Sequence, residues 1–132
     1  TTRRVYVNDR DNGRVQVFDE DGNYLNEWNF WEGRRGQPQD IHSFIVTSDQ
    51  KLWAADQGTH KILGYDLEGH YVYSWGSWGE YPGGMWGVHG MSTDKEGNFY
   101  TASVNNGRIQ KFRPREGANP DFMVGKPWPG VW

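Results

Sequence analysis

The chain has 132 residues, 35% of them hydrophobic, with a formal charge of −3 and no cysteine. That length suits one modest domain, the missing thiols exclude disulfides and thiolate metal sites, and with no Lys/Arg cluster larger than Arg3-Arg4 or Arg34-Arg35 there is no footprint for nucleic acid. Eight Trp, seven Tyr, six Phe and 18 glycines without a collagen period predict a folded, turn-rich, all-β protein, and no apolar run is long enough for a membrane span.

The sequence starts at once in a strand pattern, Arg4-Val5-Tyr6-Val7-Asn8-Asp9, with no signal-peptide core before it. A second run, Arg14 to Phe18, follows a turn, and a third ends near Trp28. The middle of the chain predicts four strands, at 41–47, 52–55, 61–65 and 71–75, separated by Ser48-Asp49-Gln50, Asp56-Gln57-Gly58-Thr59 and Asp66-Leu67-Glu68-Gly69. The last third predicts strands at 88–93, 99–102 and 108–112, and a poorer one at 122–124.

These elements repeat. Arg4-Val5-Tyr6-Val7-Asn8-Asp9 matches Lys51-Leu52-Trp53-Ala54-Ala55-Asp56 and then Asn98-Phe99-Tyr100-Thr101-Ala102-Ser103, at a constant offset of 47. The same offset carries Phe18 onto Tyr65 and Phe112, Trp28 onto Trp75, and Ile41-His42 onto Val88-His89; Gly22 maps to Gly69 and, after one inserted residue near Pro114, to Gly117. A four-stranded meander at a 40- to 50-residue period is the pattern of propeller blades. Blade one is expected at about residues 1–31 without its innermost strand, blade two at about 38–78, blade three at about 85–126, and a tail at 127–132. That gives eleven strands; the twelfth is absent unless the tail provides it.

The strings Val5-Tyr6-Val7-Asn8-Asp9 and Asn12-Gly13-Arg14-Val15-Gln16-Val17-Phe18-Asp19, matched in Asn106-Gly107-Arg108-Ile109-Gln110-Lys111-Phe112, resemble the NHL repeat. The second copy departs from it at Lys61-Ile62-Leu63-Gly64-Tyr65. The resemblance implies a six-bladed ring, of which this sequence holds about half. A half ring leaves the outer flanks of blades one and three as apolar faces, which seldom persist uncovered. The expected partner is therefore a second copy of the chain or the missing half of a longer propeller.

Asp40-Ile41-His42-Ser43 and Gly87-Val88-His89-Gly90 put histidines at the heads of equivalent first strands, which line the channel of a propeller. Imidazoles converging from neighbouring blades suit a divalent metal; the competing reading is that each histidine caps its strand by bonding a neighbouring backbone. The placement resembles that in bacterial relatives of peptidyl-hydroxyglycine amidating lyases, where channel histidines hold zinc. That resemblance implies a zinc-assisted lyase or hydrolase and slightly favours an extracytoplasmic location. Asp40 is the candidate to orient His42, sharing its face if the strand is regular there.

Arg14, Lys61 and Arg108 begin the third strands as solvated cations or ligand contacts. Trp31, Trp78 and Tyr81 lie between blades, either as packing or as the wall of a mouth for a small molecule or peptide. Asp9, Asp56 and Ser103 fit turn closure, and His60 and His70 fit plain surface positions. With no nucleophile elbow and no phosphate loop, the alternative to a metal-dependent enzyme is a non-catalytic binding or assembly propeller.

Overall fold

Alternating apolar residues in runs of five or six, punctuated by turns, form ten strands in the computed structural model, which describes residues 3–30 and 40–124. Trp31 and the 127–132 tail lie outside the described residues. Three antiparallel sheets follow one another along the chain. The first holds β1 (Arg4–Asp9), β2 (Arg14–Asp19) and β3 (Tyr24–Asn29). The second holds β4 (Ile41–Val46), β5 (Lys51–Asp56), β6 (Lys61–Asp66) and β7 (Tyr71–Trp75). The third holds β8 (Val88–Thr93), β9 (Phe99–Ser103) and β10 (Arg108–Phe112). Each sheet keeps sequence order, so each is a meander, the form of a propeller blade. The first sheet begins at the strand equivalent to β5, as the repeat requires.

The middle blade is buried on both faces. Leu52, Ala54, Leu63 and Tyr65 face blade one, where they meet Val15, Val17 and Phe30. Trp53, Ala55 and Ile62 face blade three, where they meet Val88 and Phe99. This is the period-2 alternation of a strand with two dry sides. The outer flanks keep apolar residues in the open: Val5 and Val7 are 48% and 40% exposed on blade one, and Ile109 is 78% exposed on blade three.

The departure of the second copy from the repeat has a steric cause. Trp53 stands where blades one and three carry Tyr6 and Tyr100, and its cross-strand partner is Gly64. A Cβ at Gly64 would lie 2.6 Å from the Trp53 ring. The larger aromatic and the missing side chain compensate across one pair.

The strand expected at 122–124 is instead a short 3-10 helix, Pro120–Phe122. Pro120 has no N–H to give to a ladder, and the Asn119 side chain accepts the Asp121 N–H, capping the turn. The segment folds back over the middle blade, where Phe122 stacks on Tyr73 at 4.9 Å.

Three aspartates close their turns in the same way. Oδ1 of Asp19, Asp66 and Asp94 each accepts the backbone N–H groups two and four residues on. At Asp94 the Asn98 side-chain amide, opposed by some desolvation and helped by the Asn98 N–H and the Tyr100 hydroxyl, holds the carboxyl at about 2. A carboxyl held down in the folded state contributes stability above its unfolded pKa of about 3.9 and loses it as pH falls through the folded value. Acid titration of unfolding should therefore show a loss between pH 4 and about 2 that is smaller in Asp94→Asn than in the native chain.

Candidate functional site

Cross-strand pairing collects one end of every blade. In the middle blade Ile41 pairs with Asp56, Asp56 with Lys61, and Ile62 with Trp75. In blade three Val88, Ser103 and Arg108 share the same row, and in blade one Asp9 and Arg14 do. The first-strand histidines, the third-strand cations and the segment linking blades two and three therefore occupy one face.

His42 and His89 meet there, with ring centroids 4.2 Å apart at an interplanar angle of 63°. Each sits on a β-bulge. The β4–β5 register passes from Ile41↔Asp56 to Ser43↔Ala55, omitting His42, and the β8–β9 register passes from Val88↔Ser103 to Gly90↔Ala102, omitting His89. A bulge bends its strand and re-aims one side chain. The strand at His42 is thus not regular, yet Asp40 still reaches it, with Oδ2 3.3 Å from His42 Nε2.

The His42 side chain is 8% exposed. Burial lowers its pKa; Asp40 opposes that shift, and Arg10 and His89 reinforce it, so the ring is neutral near pH 7. A neutral imidazole that donates Nε2–H to Asp40 leaves a lone pair on Nδ1, and Nδ1 is buried without a hydrogen-bond partner. Behind Asp40 stands Arg10, a residue that the sequence reading missed. Its Nε donates to Asp40 Oδ1 at 2.9 Å from the short 3-10 turn Arg10–Asn12 of blade one. Burial works against the Asp40 charge, but Arg10 and His42 outweigh it and hold the carboxyl below the usual range. The equivalents of Arg10 at the 47-residue offset are Gln57 and Val104, so the repeat carried no signal for it.

The cations are in unequal states. Arg14 is engaged by Asp9 at 2.7 Å and Glu27 at 2.9 Å. Arg108 Nη2 donates to the Glu80 carbonyl. Lys61 is exposed. Of the aromatic candidates, Trp78 and Tyr81 are 56% and 54% exposed. They lie on a segment fastened to blade three, where Gln110 accepts the Gly83 N–H at 2.7 Å and donates to the Gly84 carbonyl at 2.9 Å. Gly84 itself approaches Gly79 so closely that a Cβ would come within 2.5 Å of that backbone. Trp78 also meets Trp86 edge-on at 6.3 Å. Asp56 closes its turn through the Gly58 and Thr59 N–H groups. His70 is exposed beside Asp66, whereas His60 is half-buried at φ 56°.

Among the described residues no three His, Asp or Glu side chains gather as a metal-binding group. No described helix is long and apolar enough to cross a membrane.

A family model described as 6-bladed beta-propeller matches residues 1–77. No curated protein matches the sequence significantly. Among solved structures, a streptogramin B lyase superposes with a TM-score of 0.59 at 18% identity, over 82% of this chain and 33% of that one. A catalytically inactive virginiamycin B lyase from Staphylococcus aureus, solved with quinupristin, superposes at 0.55 and 14% identity, over 84% and 38%. The chain thus spans 33% and 38% of the two structures, and at these identities the likeness is one of fold.

Proposed function

Because this chain belongs to the 6-bladed beta-propeller family, we propose that it supplies three blades of an NHL-type ring whose channel holds a divalent metal, zinc first, at His42 and His89 and serves a lyase-type reaction. The observation that carries this reading is the contact of two histidines from equivalent bulges of adjacent blades, 4.2 Å between ring centroids, with Nδ1 of His42 buried and without a partner. A ligating imidazole commonly gives its other nitrogen to a carboxylate, and Asp40 takes that place on His42. The donor set fits in kind. Its number does not reach the three or four that zinc takes from proteins, so the remaining ligands come from the rest of the ring, either a second copy or the other half of a longer chain. The exposed flanks of blades one and three are the surfaces on which that ring closes.

When bound, such a metal supplies Lewis-acid polarisation or an activated water. The chain's own residues would hold it with His42 and His89, fix the His42 tautomer with Asp40, and balance that carboxylate with Arg10. Trp78 and Tyr81 offer an aromatic wall for a small molecule or peptide at the same face. Both structural neighbours are named lyases, which agrees with this reading.

Dialysis against zinc, followed by metal analysis and sedimentation of the same sample, is the test. The expected result is an assembly larger than the 15.3 kDa chain that retains zinc in fixed proportion to rings. An assembled, folded protein that emerges free of metal would leave the face a binding or assembly surface without metal chemistry.

A further inference from the structure

We propose that the cavity between blades two and three, which reaches the end of blade three away from His89, binds a small monocarboxylate with a medium-length apolar body. The Phe99–Phe112 pair marks that end of blade three and the Ser103–Arg108 pair the other, about 13 Å apart at the rise of a strand. None of Arg10, Asp40, His42 and His89 lines the cavity, so the proposal does not depend on the metal reading.

The cavity has a volume of about 300 Å³, at the lower bound for small-molecule pockets. Its floor is built from three rings in edge-to-face contact: Trp75 meets Phe99 at 5.4 Å and Phe112 at 5.0 Å. One wall is the Tyr73–Phe122 stack, which exists because the segment after β10 turns back instead of forming a strand. Lys51 Nζ donates to the Asp121 carbonyl and fastens that segment to the middle blade.

The charged side chains that line the cavity are Arg113 and Arg115. Both are exposed, and among the described residues neither forms an ion pair. Two guanidinium groups without carboxylates, beside an aromatic chamber, select an occupant with the opposite arrangement. An apolar body displaces water from the rings, and one carboxylate accepts the planar Arg donors. A neutral apolar ligand would leave the two cations unused, and a cationic one would be repelled.

Calorimetric titration of the full 132-residue chain with octanoate and, separately, 1-octanol tests this. Octanoate should bind about tenfold more tightly, the equivalent of one charge-assisted hydrogen bond. The double variant Arg113→Gln, Arg115→Gln should lose that preference while its octanol affinity stays unchanged. Ala118→Trp, which fills the chamber, should abolish both titrations with the far-UV spectrum retained; should that variant fail to fold, the arginine pair decides alone. Octanoate binding no tighter than octanol, a preference that survives the double substitution, or no binding of either probe overturns the proposal.

Discussion

Trp53→Ala should destabilise the chain by about 3–5 kcal/mol, a large share of the 5–15 kcal/mol by which ordinary domains are stable. Trp53 is wholly buried between blades two and three. The cost belongs near the top of that range because the facing position is Gly64, which has no side chain to move into the void. The indole N–H is buried without a partner, so its removal returns a little of the loss. Trp53→Tyr, the residue the other two blades carry at this place, should cost far less. Urea unfolding followed by far-UV circular dichroism measures both, and a loss below 1 kcal/mol for Trp53→Ala would show that the two blades are not locked through this ring.

His42→Ala and His89→Ala should each remove stoichiometric zinc while leaving the β spectrum in place. Two donors from this chain are already fewer than zinc requires, so losing one leaves too few to compete with water. Asp40→Asn keeps both ligands but weakens the hydrogen bond that sets the His42 tautomer, and should reduce zinc affinity about 10- to 100-fold. That graded order is what a metal site produces, because a purely structural histidine gives no reason for zinc affinity to follow Asp40. Competition with a chelating dye under constant ionic strength reads the affinities. If the histidine variants unfold and the native chain takes up no zinc, the two rings serve packing and the enzyme reading falls with them.

Much of this architecture was written in one period. The 47-residue offset gave the strands and the missing inner strand of blade one, because every blade must bury similar faces against its neighbours. It also placed the two histidines at equivalent positions. What it lost was whatever differs between copies. Arg10 and Asp40 join across two blades, and a contact between unlike positions leaves no mark in a repeat. The turn at Pro120 was hidden because Phe122 and Val124 have strand-like side chains, while the decisive fact was a missing backbone donor. The bulges did leave a trace that alternation alone overlooks. Ile41 and Phe44 meet the same core, as do Val88 and Met91, although residues three apart in a regular strand point to opposite sides.

That spacing means each histidine is an added residue in a ladder already complete without it. Ile41, Ser43 and Phe44 have consecutive partners Asp56, Ala55 and Ala54 across β5. Excising His42 would close the strand into a plain ladder and leave every core-facing side chain on its present side. A single codon gained or lost at this place can therefore add or remove this histidine while the core-facing side chains of the blade keep their partners. A propeller of this design can gain or lose a histidine at this end of a blade by one insertion, with no need to rework its core.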